Sequence, residues 1–241
     1  MKKATAAQQR LFDKAVLIAA TRLLFDAMRE HFSCPQLAEI VTIHNGQGLT
    51  AADRDAAGEY DVYAAGGLVG RHSARLSDKP FVVVGRKGSA GKPTYAPLGG
   101  WVIDTAYYVQ PNDDAQLDCK FLFYALSSLD FADDIISTAI PGINRTSIYR
   151  YAIPLPPKNV QEACVRFLDV AAARPSGEFP FLHRFLSSGG LWRGSRNWPP
   201  RSKKREGCGS RQWRRQRSWL QAGQPRCLKV LKKPTILRSV L

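Results

Sequence analysis

Apolar residues recur at helical spacing near the start of the chain. No proline or glycine interrupts the sequence before Pro35. The recurring apolar residues are Leu11, Val16, Ala19, Leu23, Ala27 and Phe32. This periodicity predicts a helix over residues 4–32 with those side chains on one face, ended by Ser33-Cys34-Pro35.

Residues 36–157 contain short β-rich stretches instead. These stretches lie at Val62-Tyr63, 81–84, Tyr95 and 101–109, and glycine, proline and aspartate turns separate them. The pattern predicts strands that return on one another through tight turns.

Two later segments are predicted to be helical. The apolar stretch over 121–129 has helical length, and Asp118 is its candidate N-cap. Prolines over 154–157 end regular structure, and a second helix is predicted over 160–173. The side chains expected on one side of that helix are Val165, Leu168 and Ala172. Strands and helices together indicate an α+β fold class.

The positive charge is concentrated at one end of the chain. The whole chain carries a net charge of +15, which is typical of nucleic-acid binders. Residues 190–241 hold 15 Lys and Arg against the single acid Glu206, a net of +14. The preceding 189 residues hold 20 bases and 19 acids, a net of +1. The global charge therefore says little about the folded domain.

Cysteine and histidine placement indicates neither a disulfide framework nor a metal site. The five cysteines are an odd number without a Cys-x-x-Cys pair, and the four histidines are dispersed. No run of about 18 apolar residues occurs, and the N-terminus lacks the apolar segment and cleavage site of a secretory signal. We expect a cytoplasmic protein without a membrane span or a bound metal.

Motifs of nucleotide-binding and DNA-modifying enzymes are missing. A phosphate-binding loop needs four residues between its glycines and a Ser or Thr after its Lys, whereas five separate Gly85 from Gly91 and Pro93 follows Lys92. Asp104 lies in no Pro-Asp…Glu-x-Lys nuclease arrangement, and we expect it to be buried in a strand and satisfied by backbone amides. No Asn/Asp-Pro-Pro-Tyr methyltransferase motif occurs. We expect no catalytic residues and no cofactor in this chain.

A glycine-rich turn follows the predicted strand over 81–84. Its three glycines allow positive φ angles, and its amides and polar side chains can meet a phosphate backbone. The candidate DNA-binding side chains are Arg86, Lys87, Ser89 and Lys92. The alternative is a hairpin whose glycines serve its geometry alone.

A second polar cluster follows Pro141-Gly142. Asn144 and Arg145 are side-chain types that bind adenine and guanine edges, and Thr146 can join them in binding phosphate. The alternative is a helix cap in which Asn144 or Thr146 opens the turn.

Arg71 belongs to a third cluster, with His72 and Arg75, after a Gly-Gly turn. DNA contact by Arg71 is one explanation. A turn of solvated polar side chains is the favoured one.

Six short blocks occur in fixed order between Cys34 and Pro157. They read Ile43-His-Asn-Gly-Gln-Gly-Leu49, Tyr63-Ala-Ala-Gly-Gly-Leu-Val-Gly-Arg-His72, Val82-Val-Val-Gly-Arg-Lys-Gly-Ser-Ala-Gly-Lys92, Trp101-Val-Ile-Asp-Thr-Ala-Tyr-Tyr108, Ile140-Pro-Gly-Ile-Asn-Arg-Thr-Ser-Ile-Tyr149 and Ile153-Pro-Leu-Pro-Pro157. No single block is diagnostic. The ordered set resembles one target recognition domain of a type I restriction-modification specificity subunit.

The resemblance implies an architecture. We expect an α+β recognition domain with a twisted mixed β-sheet and short helices, flanked by spacer helices. The expected boundaries are an entry spacer helix at 1–33, the DNA target recognition domain at 34–157 and the start of the distal spacer helix at 158–186. The alternative for the first segment is an ordinary amphipathic helix packed at the domain edge.

The resemblance also implies partners. In the family, two recognition domains read the halves of a bipartite double-stranded DNA site, and paired helices set the gap between them. Modification subunits methylate adenine with S-adenosylmethionine and restriction subunits hydrolyse ATP, so catalysis and cofactors belong to partners. This chain departs in having one recognition domain, a short entry helix and an abnormal C-terminal segment. Dimerisation of such a half-subunit needs the distal helix, and we expect weak or absent assembly with the modification subunit.

Two other function classes are alternatives. A standalone DNA methyltransferase or nuclease with a related recognition domain would need the catalytic motifs that are missing. A non-specific nucleic-acid binder would act through residues 190–241, and removal of that segment would abolish its binding.

We expect residues 187–241 to be a frame-shifted, disordered segment. From residue 190 onward, Trp, Arg, Pro, Gly and Ser are scattered without an apolar face. With permitted codons and TTG for Leu191, the stretch to Gly207 can be read from the third base of that codon as VARIEELAAKIEEARGL. That peptide has the apolar spacing of a coiled coil and resembles the helical region that follows a recognition domain in the family. The alternative is a basic nucleic-acid-binding arm.

Sequencing the gene downstream of the codon for Ser187 tests the frameshift. We expect an open alternative frame that encodes a helical continuation. Stop codons that close this frame would contradict the frameshift and favour the basic arm.

Overall fold

Helix α1 spans Ala6–Arg29 and confirms the predicted first helix, in a computed structural model that describes residues 6–136 and 139–173. The predicted apolar face is wrong, because Ala19 is exposed and Leu23 is 43% exposed. Leu11 and Val16 lie outside the described side chains. Among the α1 side chains that the structure describes, the buried ones are Ala20, Thr21, Leu24, Phe25 and Met28. Adjacent apolar residues such as Leu23 and Leu24 create two overlapping helical series. The series with Phe25 and Met28 removes more apolar surface from water.

Short helices and strands follow α1 along the chain. The later helices are α2 (Leu37–Ile40), α3 (Cys119–Ser128), α4 (Arg145–Tyr149) and α5 (Lys158–Ala173), with a 3-10 turn at Ala132–Asp134. The strands are β1 (Val41–Asn45), β2 (Tyr60–Ala64), β3 (Gly67–His72), β4 (Phe81–Gly85), β5 (Pro93–Ala96), β6 (Trp101–Val102), β7 (Ala106–Pro111), β8 (Ile135–Ile136) and β9 (Gly142–Ile143). This mixture confirms the α+β class.

The described strands form three sheets. The largest has the order β1-β7-β4-β5 and is antiparallel throughout. The second has the order β3-β2-β6, and its β2–β6 pair is parallel. Strands β8 and β9 form a short antiparallel pair. The mixed character predicted for the sheet therefore lies in the smaller, three-stranded sheet.

Strand β4 lies at the centre of the packing and is buried at all five positions. Val82 and Val84 pack into the main core with α1 and α3. Phe81 and Val83 pack on the opposite face, in a cluster that includes Val102 of β6. A strand covered on both faces needs apolar residues at every position, which explains the uninterrupted run over 81–84.

The predicted cap of α3 is confirmed. The Asp118 carboxylate accepts a hydrogen bond of 2.7 Å from the Phe121 amide. Phe121 in turn lies 5.1 Å, ring to ring, from Phe25 of α1, so this cap fixes the helix that packs against the entry helix.

Helix α5 is held to the domain by the buried side chain of Gln161. Its Oε1 accepts from the Asp118 amide at 2.8 Å, and its Nε2 donates to the carbonyls of Gln116 at 2.9 Å and Pro156 at 2.8 Å. One side chain thus satisfies three backbone groups from two segments.

Two expectations about side-chain placement are wrong. Asp104 is exposed in the turn between β6 and β7, whereas it was expected to be buried in a strand. On α5, Leu168 is buried as predicted, but Val165 is only partly buried and Ala172 is exposed. Val160 and Cys164 are the buried residues that share the core with Leu168. The buried face of α5 is therefore rotated toward α1 relative to the predicted face.

Some predicted boundaries lie outside the described residues. These are the first five residues of the entry helix, residues 174–186 of the distal helix, and the tail over 187–241. Within the described residues, no helix combines the length and the apolar character needed to cross a bilayer.

Replacement of Gln161 by leucine should lower the free energy of unfolding by about 2–4 kcal/mol, because one amide and two carbonyls lose their partner. Urea denaturation of the full chain measures this value. Glu162→Ala, one position along on the exposed face of α5, is the matched control and should leave stability close to wild type. A loss below about 1 kcal/mol for Gln161→Leu would show that water replaces the side chain.

Candidate nucleic-acid interface

Five loops meet at one end of the four-stranded sheet. Asn45 at the end of β1 pairs with Tyr107, and Gly85 at the end of β4 pairs with Ala106. Antiparallel pairing thus brings the loops after β1 and β4 beside the turn before β7. We define the loop end as residues 46–48, 65–67, 86–92, 103–105 and 139–146. It collects residues from five of the six sequence blocks.

The loop over 86–92 is fixed to its neighbours by backbone hydrogen bonds. The carbonyl of Thr105 accepts from the amides of Arg86 at 2.9 Å and Lys87 at 3.0 Å. The amide of Gly88 donates to the carbonyl of Pro141 at 2.8 Å. These bonds join segments that lie far apart in sequence, so the polar side chains of the loop are carried on a fixed support.

The same bonds correct one expectation about this loop. Its amides were expected to be available to a phosphate backbone, but those of residues 86, 87, 88, 91 and 92 donate within the protein. Gly91 donates to the carbonyl of Gly85 at 2.8 Å and Lys92 to that of Ser89 at 3.2 Å. Contact with a ligand at these positions therefore depends on side chains.

The glycines of the loop are required by its geometry. Gly88 and Gly91 have φ angles of 79° and 73°. A Cβ on Gly85 would lie 2.0 Å from the carbonyl oxygen of Ser89. The geometric explanation of these glycines is therefore supported, and it is compatible with ligand contact by the side chains between them.

Four of the predicted site residues point into solvent at the loop end. Lys87, Ser89, Asn144 and Thr146 are exposed, and within the described residues their side chains make no hydrogen bond or ion pair. Asn144 occupies the N-cap position of α4, yet its side chain makes no capping hydrogen bond. A capping role therefore does not explain why the side chain at this position is an asparagine.

Arg145 also has a structural contact. It donates from Nη1 to the carbonyl of Ile43 at 3.3 Å, and the amide of Ile43 donates to the hydroxyl of Tyr149 at 2.8 Å. Because β1 is an edge strand, these two α4 side chains satisfy backbone groups that would otherwise be open to pairing. Arg145 is exposed and has five N–H donors, so most of its guanidinium is still available to a ligand.

His44 lies beside Arg145 and was not among the predicted site residues. Its ring stacks on Tyr108 with centroids 4.7 Å apart and an interplanar angle of 16°. Burial, and then the positive charge of Arg145, lower the pKa of His44 below 6.5. Its place in the first sequence block was the only available signal, since the contact with Arg145 spans about a hundred residues of chain.

The other predicted residues are more fully engaged with the protein. Arg86 lies over the ring of Tyr107 at 5.7 Å, and Lys92 Nζ donates to the carbonyl of Gly66 at 3.3 Å. Both still belong to the loop end.

Arg71 does not join the loop end. Its guanidinium donates to the carbonyls of Gly58 at 2.7 Å and Glu59 at 2.6 Å, at the opposite end of the β2–β3 hairpin. It holds the segment that enters β2, away from the other candidates, while its side chain remains exposed.

Basic residues outnumber acidic ones at the loop end. Its segments contain Arg86, Lys87, Lys92 and Arg145 against the single acid Asp104. The first 189 residues are nearly neutral, so this is a local asymmetry. Within the described residues, no group of three or more His, Cys, Asp or Glu side chains could hold a metal ion.

The chain matches a family model over most of the described residues. The model is described as the type I restriction modification DNA specificity domain, and it matches residues 32–173. No curated protein matches the chain.

Solved structures of similar fold come from the same kind of system. The S subunit of a type I restriction-modification system from M. genitalium is 23% identical, with a TM-score of 0.51, over 58% of this chain and 38% of that one. A structure whose description concerns complex assembly and conformational transition of the type I R-M system is 19% identical, with a TM-score of 0.50, over 76% of this chain and 51% of that one. The HsdS subunit from Thermoanaerobacter tengcongensis is 19% identical, with a TM-score of 0.48, over 77% and 54%. This chain spans between 38% and 54% of the length of these proteins.

Replacement of Arg145 by alanine should raise the pKa of His44, because it removes a positive charge that disfavours the imidazolium, while burial continues to lower that pKa. NMR titration of the histidine ring measures it, and Lys158→Ala on α5 should leave it unchanged. The stability that His44 contributes is complete above pH 6.5 and is lost as the pH falls through its folded pKa, because the unfolded state binds the proton more readily. An unchanged pKa in Arg145→Ala would contradict the contact.

Proposed function

Because the chain belongs to the type I restriction-modification DNA specificity domain family, we propose that it is a sequence-specific DNA-binding module that reads one half of a bipartite duplex target. The family match over residues 32–173 contains the whole loop end. The observation that carries the proposal is the set of exposed polar side chains that this end presents without a hydrogen-bond or ion-pair partner among the described residues.

The two parts of the loop end suit different contacts. Lys87 and Ser89 lie on the fixed hairpin loop, where Ser89 can bind a phosphate oxygen and the Lys87 ammonium can bind a phosphate or a base acceptor. Asn144 and Arg145 lie where α4 begins and are the residue types that bind adenine and guanine edges with two hydrogen bonds. Thr146 can contact either. Arg86 and Lys92 add positive charge beside them, whereas Arg71 supports the fold elsewhere.

The proposal gives the chain no chemistry of its own. Methyl transfer and DNA cleavage belong to the modification and restriction subunits, and so do their cofactors. The module would act in the cytoplasm and position those subunits on their DNA target. Helices α1 and α5, which pack against each other through Met28 and Cys164, are the elements proposed as spacer helices. In a half-subunit dimer, these two helices would pair with the same helices of a second copy of the chain.

A second candidate is a non-specific binder that acts through residues 190–241. The net charge of +14 on that segment favours it. Deletion of the segment distinguishes the two functions. A specificity module keeps its sequence preference after the deletion, whereas the non-specific binder loses its affinity.

Selection of duplexes from a randomised DNA pool by the full chain should yield one preferred half-site. Asn144→Ala should weaken binding to that site by about 1–3 kcal/mol and relax the preference at one base pair, because a base contact is lost. Lys87→Ala should weaken binding to every duplex and reduce the salt dependence by about one charge, because a positive charge is removed from the loop end.

Lys158→Ala, which removes an exposed lysine from α5, is the matched control and should change neither value. Equal effects of Lys87→Ala and Lys158→Ala would contradict DNA contact at the loop end. Failure of the selection to enrich any sequence would contradict the function itself.

A further inference from the structure

Strand β9 connects the hairpin β8–β9 to the loop over 86–92. Lys87 forms an antiparallel bridge with Gly142, and two hydrogen bonds frame it. Gly88 donates to the carbonyl of Pro141 at 2.8 Å, and Ile143 donates to the carbonyl of Arg86 at 3.0 Å. On its other side, Gly142 pairs with Ile136 of β8. Three short segments therefore lie side by side as a small extension of the loop end.

The register of this extension places two unlike side chains on one face. Residues directly opposite each other in neighbouring strands project to the same side. Ile136, Gly142 and Lys87 thus share a face, with Gly142 in the middle. Two strand spacings separate the backbones of Ile136 and Lys87, which is about 10 Å. Since Gly142 has no side chain, a shallow notch lies between the isoleucine and the lysine.

The notch presents an apolar and a basic side chain to solvent. Ile136 is 49% exposed, although its neighbour Ile135 packs against the main core. Lys87 is exposed and has no protein partner within the described residues. Other large apolar side chains are also exposed among the described residues, so what distinguishes Ile136 is that it shares a face with Lys87 at the loop end.

We propose that this notch binds the major-groove edge of a thymine, an inference that rests on the proposed function. Thymine presents a 5-methyl group next to the O4 acceptor. Ile136 contacts the methyl group, and Lys87 Nζ donates to O4. Guanine would satisfy the lysine through O6 and N7 but offers no methyl group. Cytosine presents an amino donor that opposes the lysine, so the pair of side chains selects thymine.

The test replaces each thymine of the preferred duplex with deoxyuridine, which removes only the 5-methyl group. At one position, this change should weaken binding of the wild-type full chain about fourfold, the value of one buried methyl group. Ile136→Ala should bind the thymine duplex about fourfold more weakly and show no further loss with deoxyuridine. Ile18→Ala, which removes an isoleucine that is 37% exposed on α1, should keep the wild-type deoxyuridine effect.

A second variant tests the notch itself. A Cβ on Gly142 would lie 3.4 Å from the carbonyl oxygen of Arg86, an ordinary contact, so Gly142→Ala should fold. It should also reduce the deoxyuridine effect, because the added methyl group occupies the notch. A wild-type chain that is indifferent to every deoxyuridine substitution, or a deoxyuridine effect that persists in Ile136→Ala, would overturn the notch alone. A wild-type chain without sequence preference would overturn the proposed function as well.

Discussion

The pairing of β4 with β7 is the constraint on which the loop end depends. Gly85 opposite Ala106 brings the turn before β7 beside the loop after β4, so that one carbonyl, that of Thr105, receives the amides of Arg86 and Lys87. A register shift by one residue would exchange the two buried faces of β4 and move this loop away from its support.

The local features of this fold could be predicted from the sequence. A helix without Pro or Gly, a strand with an uninterrupted apolar run and the Asp118 cap all follow from short-range preferences, and each is present. The buried face of α1 was predicted wrongly because Leu23 and Leu24 belong to competing helical series. Contacts with distant residues, such as that of Phe25 with Phe121 of α3, favour the series that is buried.

The candidate site could be predicted as residue types but not as an arrangement. Arg145 and His44 come together because α4 closes the edge of β1, a contact between distant parts of the chain. The notch at Gly142 depends on the pairing of β8 with β9 and on the isolated bridge between Gly142 and Lys87, and no sequence pattern shows either contact. Net charge was uninformative about the site for a related reason, since most of it lies in residues 190–241, while the loop end owes its positive character to four basic residues.

We propose that duplex DNA binds at the loop end and not elsewhere on the chain. Chemical-shift mapping by NMR on the full chain, with a selected duplex and a scrambled duplex of equal length, locates the binding surface. We expect shifts in the amides of residues 86–89 and 142–146 that the selected duplex produces and the scrambled duplex does not. Shifts confined to residues 190–241, or equal shifts with both duplexes, would contradict it.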